Sequence, residues 1–133
     1  MGIEAVNNVI RSRWKTNIAD AQSVTTVYDN APDTHPDDSL WVRLSIKYSQ
    51  ATLNEIGSQK TFRIRGRMVA QIFDRIEKGD KDINALIDTI RPFFRAVTDT
   101  GVTFMTPEVS VVGADGKWWQ VNLSCPFYTN ELV

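Results

Sequence analysis

The one histidine of this 133-residue chain, His35, sits in a proline-flanked stretch with Asp33, Asp37 and Asp38. An imidazole among three carboxylates is a potential divalent-metal loop, because hard cations take carboxylate oxygens and borderline ones accept imidazole nitrogen. The spacing lacks the internal glycine and closing glutamate of a calcium loop, so a solvated acidic loop is the expectation. Cys125, the one cysteine, could be activated by no histidine other than His35. It falls on the apolar phase of an alternating run and precedes Pro126, which suits a buried, unreactive thiol. Glu77 and Asp80 are two neighbouring carboxylates, but they lie in a mixed-charge turn around Gly79 where solvation explains them. No glycine-rich loop opens either expected helix, so a phosphate cradle has no support. Catalysis, a metal and a cofactor are therefore not expected.

The more informative pattern is charge. Lys and Arg number 15 and Asp and Glu 16, a net charge of −1. That balance argues against a protein that clamps nucleic acid over most of its surface. The total hides two opposed segments. Residues 20–42 hold five acids and no base, giving −5, while residues 43–73 hold six bases and Glu55, giving +5. Arg63, Arg65 and Arg67 alternate, so they share one face of a regular strand. They read as a solvated face with local pairs of little energetic weight, as a short basic stripe for nucleic acid, or as one half of a head-to-tail contact between copies. In the last case an acidic loop around Asp33, Asp37 and Asp38 meets the basic strand of the next subunit, and such contacts close into rings when the rotation permits. Trp41, Phe73 and Trp118 all fall on the polar phase of their strands. Three aromatics there indicate a face covered by a helix of the same chain or by a partner.

The elements that position these residues follow from periodicity. Ile3, Val6, Ile10 and Trp14 recur at spacings of three and four, which predicts an amphipathic helix over 3–18. The β-branched and aromatic run 24–29 predicts a strand, and the Pro- and Asp-rich residues 30–39 a surface loop, expected to be mobile. Leu40, Val42, Leu44, Ile46 and Tyr48 alternate against Trp41, Arg43, Ser45 and Lys47. A second alternating run covers 61–73, with Gly66 marking a bulge or bend. Gly57 in the link between them suits a long antiparallel hairpin. Asp80 or Asp82 would cap a second helix, whose stripe of Ile83, Leu86, Ile87, Ile90, Phe94 and Val97 runs to about 98, kinked at Pro92 or stopped near Arg91. Strands at 102–112 and 117–125 are joined by a turn at 113–116, with Trp119, Val121, Leu123 and Cys125 inward and Trp118, Gln120, Asn122 and Ser124 outward. The tail from Pro126 has turn character.

With 42% hydrophobic residues and ample aromatics, one domain over 1–133 can be held by its own core. The expected class is α+β: a mostly antiparallel twisted sheet of about five strands with two helices packed on one face. An unpaired cysteine suits a reducing compartment, no basic-then-apolar leader opens the chain, and no apolar run approaches the ~20 residues that cross a bilayer.

Taken in order, these segments resemble the tail-terminator family of long-tailed bacteriophages, the lambda-type group. The residues carrying the likeness are V-Y-D-N at 27–30, L-W-V-R-L-S-I at 40–46, S-Q and I-G within 49–57, and F-R-I-R-G-R-M-V-A-Q-I-F at 62–73. They continue with P-F-F at 92–94, G-V-T-F at 101–104, P-E-V at 107–109, W-W-Q-V-N-L at 118–123 and P-F at 126–127. These are patterns of turn and fold, and their order carries the weight; head–tail joining and neck proteins share the size. The resemblance implies a structural virion protein without active-site residues. Such proteins form a hexameric ring on the head-proximal end of the tail tube, stop tube polymerisation and present a surface to the head–tail connector. DNA passes through the ring without specific binding, no membrane is involved, and assembly takes place in the host bacterial cytoplasm. The expected contact residues are Asp33, Asp37, Asp38, Trp41, Arg63, Arg65, Arg67 and Trp118. The three arginines are expected at a subunit or tube contact, away from the channel, because a basic lumen would hold passing phosphates. The contrasting alternative is a small nucleic-acid-binding module using the arginine stripe.

Overall fold

The computed structural model describes residues 2–29, 31–32, 34–49, 52–53 and 61–132. Asp33 and the link with Glu55 and Gly57 lie outside the described residues. Helix α1 spans Ile3–Trp14 and continues as a wider π-type turn over Lys15–Asp20. Its buried line is Val6, Ile10, Trp14 and Ile18; Ile3 is 54% exposed and starts the helix outside the core. Helix α2 spans Lys81–Phe94 and buries Ile83, Leu86, Ile87, Ile90 and Phe94. Asp80 occupies its N-cap position without a side-chain cap bond. The helix passes through Pro92 and stops two residues later, so Val97 is not part of it. A proline forfeits one hydrogen bond there, and burial of Ile90 and Phe94 on either side holds the last turn in place.

Among the described residues the strands are β1 (Thr25–Tyr28), β2 (Trp41–Tyr48), β3 (Thr52–Leu53), β4 (Thr61–Arg75), β5 (Thr98–Asp99), β6 (Val102–Phe104), β7 (Glu108–Asp115) and β8 (Trp118–Leu132). They form one sheet in the order β1-β2-β4-β8-β6-β5, with β3 beside β4 and β7 beside β8. The class is α+β. The sheet is larger than five strands and mixed: β1 runs parallel to β2, while the other pairs are antiparallel. The β2–β4 pairing sets Trp41 opposite Phe73 and Tyr48 opposite Gly66, as a long antiparallel hairpin requires.

Four departures from the sequence pattern have local causes. Strand β4 carries no bulge: its register against β8 is continuous from Thr61 to Arg75. Gly66 is there for space, since a Cβ would stand 2.5 Å from the Lys47 carbonyl oxygen and 2.6 Å from Phe127 Cζ. The expected strand 102–112 breaks into β6 and β7 around Pro107, which cannot donate to a ladder. The hairpin turn lies at Gly116 and Lys117, with Asp115 paired to Trp118 and an irregularity between Val111 and Gly113. Gly116 holds φ +62° there, the position where a primed turn wants glycine. Finally, β8 runs through Pro126 to Leu132 rather than turning. Residues in a strand aim N–H and C=O to one side, and the Pro126 carbonyl accepts from Met105 N at 2.8 Å. The missing donor therefore faces the gap between β6 and β7 and leaves the β4 ladder whole.

Both helices cover one sheet face, packing on Val42, Leu44, Met68, Ala70, Ile72, Val121, Leu123, Cys125 and Phe127. Trp14 closes the layer, stacking obliquely against Phe94 at 6.2 Å and donating from Nε1 to Thr26 Oγ1 at 2.9 Å. Phe94 and Phe104 meet edge to face at 5.1 Å. Among the described residues no helix is long and apolar enough to cross a membrane.

Candidate interaction surface

The other face of the sheet carries no helix, and cross-strand register fixes its membership. Arg43, Gln71, Asn122 and Ser110 lie in one row, Lys47, Arg67 and Pro126 in another, and Arg65 beside Tyr128, Arg63 beside Asn130 and Arg75 beside Trp118 complete it. At strand positions of this face the described residues supply six cations, Arg43, Lys47, Arg63, Arg65, Arg67 and Arg75. Against them stand two acids, Glu108 and Asp115, so the face carries 6 − 2 = +4.

The three alternating arginines share the face, as their spacing requires, but their surroundings differ. The Arg63 guanidinium stands 4.2 Å from the Tyr128 ring centroid and donates to Asn130 Oδ1 at 3.2 Å. Arg67 donates to Ser124 Oγ at 2.8 Å and pairs with Glu108 at 3.3 Å. Arg65 is exposed. Within the stripe a cavity of about 400 Å³ opens at Gly66, lined by Lys47, Arg65, Arg67, Met105 and Phe127. Exposed pairs of this kind add little stability.

The aromatic residues occupy the opposite end of the same face. Trp41 stacks on Phe73 with centroids 4.4 Å apart, and His35 stacks on Trp41 at 4.2 Å. Trp118 meets both His35 and Trp41 edge on, at 6.0 and 6.1 Å. The cover over these aromatics is therefore the loop between β1 and β2, rather than a helix. Lys117 pairs with Asp37 across it, Arg75 Nη1 donates to the Asp37 carbonyl at 3.1 Å, and Lys78 Nζ donates to the Asp38 carbonyl at 3.2 Å. The Lys117 ammonium holds the Asp37 carboxyl below its ordinary range, first by hydrogen bond and then by charge. Trp41, although on the polar phase, is only 4% exposed, while Trp118 is half-buried.

The expected contact residues thus divide. Arg63, Arg65, Arg67 and Asp38 lie at the surface. Trp41 and Trp118 form an internal aromatic nest, and Asp37 is engaged by Lys117. Gln120, expected outside, is 9% exposed and donates to Asn122 Oδ1 at 2.8 Å. The pattern missed Tyr128, Lys117 and Arg75; following the alternation of β8 past Pro126 would have found Tyr128, whereas the loop's partners have no signal in sequence. His35 and Cys125 lie on opposite sides of the sheet. Cys125 is buried, bonds to the Phe94 carbonyl at 3.2 Å, and has its thiol pushed up to about 11 by burial. Among the described residues no three His, Cys, Asp or Glu side chains converge as a metal site would need.

No family model matches the chain, and no curated protein matches it. Several solved structures match; one of them aligns with a TM-score of 0.67 over 94% of this chain and 95% of the other, at 12% sequence identity. At that identity the likeness establishes a shared fold and carries no activity with it.

Proposed function

We propose that this chain is a phage tail-terminator subunit, which acts by assembling as a ring on the head-proximal end of a tail tube. The ring stops tube polymerisation and offers its outer surface to the head–tail connector. The observation that carries the reading is the helix-free sheet face, whose strand positions sum to +4 and where Arg65 and Arg67 are exposed. The ordered segments that carry the resemblance support it; they fall on β2, β4, the end of α2 and β8. A rigid sheet presenting fixed charges is suited to seating an oppositely charged neighbour, since complementary charge governs approach and register. The acids for that contact are Asp38 and the carboxylates on the exposed side of α2, Asp82 and Asp88, because Asp37 is already engaged by Lys117. The arginine stripe then belongs to a subunit or tube contact, with the channel left to other residues.

The test is co-sedimentation with assembled tail tubes, together with tube length when the protein is supplied in excess. Binding confined to tube ends and shortened tubes are expected. Tubes that grow past their usual length beside excess protein would overturn the reading. Reversing Arg65 and Asp38 separately should weaken capping, and reversing both should restore part of it if the two pair directly. The same +4 face also favours a second reading, contact with DNA phosphates. That reading requires duplex binding at micromolar protein that falls steeply with added salt.

A further inference from the structure

The cavity at Gly66 sets positive charge beside apolar surface. Its volume of about 400 Å³ falls within the ~300–1,000 Å³ of sites that take small groups. Lys47, Arg65 and Arg67 line it together with Met105, Pro126 and Phe127, and no acid is among its lining residues. Lys47 stands directly opposite Arg67 across β2 and β4, and Arg65 lies two residues away on the same strand face. Like charges directly opposite one another weaken a strand pair. Among the described residues Glu108 answers Arg67, while no carboxylate pairs with Lys47 or Arg65. Both are exposed, so an incoming anion would relieve the repulsion. The apolar lining asks for more than an anion. Met105 is 49% exposed despite its size, and its N–H donates to the carbonyl of half-buried Pro126. A flexible thioether in that position moulds itself to apolar side chains.

We propose that this cavity receives an acidic side chain flanked by a bulky apolar one, on an exposed segment of a partner protein. The carboxylate enters between Lys47, Arg65 and Arg67, where charge-assisted bonds are strong, and the apolar side chain lies against Met105 and Pro126. Nucleic acid matches the cations alone. Single strands are held by bases stacked on open aromatic rings, and Tyr128, beside Arg65 on this face, already carries the Arg63 guanidinium at 4.2 Å. The proposal goes beyond the ring reading, because it names the chemistry that the site selects in any partner presenting that pair of side chains.

Amide NMR titration of the full chain with a blocked glutamyl-phenylalanine peptide tests it. Saturable shifts are expected at the amides of Lys47, Gly66 and Met105. Peptides with glutamine for the glutamate, or alanine for the phenylalanine, should bind about tenfold or more weakly, as loss of a charge-assisted or a buried apolar contact dictates. Arg65→Ala and Met105→Ala should each weaken binding, and Lys81→Ala, on exposed α2 surface, should not. The peptide comparison uses the unaltered chain, so it decides the matter should a variant misfold. Equal binding of either substituted peptide, or no shifts at the cavity, would overturn the proposal. So would inorganic phosphate that binds as tightly as the peptide, which would leave a simple anion site. A single-stranded oligonucleotide that displaces the peptide at lower concentration would overturn it in favour of nucleic acid. No tail tube enters the assay, so its failure is distinct from a failure of capping.

Discussion

Gly66 and Phe127 are directly paired across β4 and β8, and the Phe127 ring fills the volume a side chain at Gly66 would need. One contact of a Cβ there would be with backbone, the Lys47 carbonyl oxygen, which cannot swing aside as a flexible side chain does. The glycine therefore makes room for the Lys47 carbonyl and the Phe127 ring between Arg65 and Arg67.

Gly66→Ala is accordingly expected to lower stability by about 1–3 kcal/mol, the usual range for forcing extra volume into a packed region. The midpoint of urea denaturation measures this, and an unchanged midpoint would contradict the account of Gly66.

The loop over the aromatic nest is held by stacking as well as charge. His35→Ala should remove its stacked contact with Trp41 at a cost of about 0.5–1.5 kcal/mol. It should also red-shift tryptophan emission and speed proteolytic cleavage within 31–39. Equal cleavage rates in the two proteins would mean that the stack does not fasten the loop.

The Lys117–Asp37 tie has a defined acid dependence. Because the folded carboxyl titrates below its ordinary value of 3.8, the tie is fully present above that value and is lost as pH falls through the lowered one. Carboxyl NMR titration should find Asp37 below its ordinary value of 3.8, and Lys117→Met should raise it. Loop cleavage should rise only in strongly acid solution.

Cys125 should resist alkylation in the folded protein at pH 8, because burial raises its thiol to about 11 and the thiolate is the reactive form. Denaturant should make labelling fast. Rapid labelling of the native chain would show that the Phe94 end of α2 opens readily.

Much of this architecture was legible in periodicity. Both helices, the β2–β4 hairpin, the inward set of β8 and the common face of the three arginines follow from spacings of 3.6 and 2. What failed were positions where a neighbour decides. Pro126 reads as a stop, yet its missing donor points into a gap between two short strands. Gly66 reads as a bulge, yet the Phe127 ring accounts for it. Trp41 on a polar phase reads as a surface contact, but His35, six residues earlier and separated from it by Pro36, folds back onto it. Local pattern records which face a side chain takes; it does not record what lies over that face.

The parallel pairing of β1 with β2 gives the intervening chain a duty beyond covering aromatics. Two strands that point the same way cannot be joined by a tight turn, so the path must travel back the length of the pair before β2 begins. Here it returns across the helix-free side, as the His35 stack on Trp41 shows. The described residues of that path, 31–32 and 34–40, therefore lie on a connection that has to cover the length of the pair. A deletion there would pull β1 off the sheet edge, and an engineered insertion would be better placed in the β7–β8 turn.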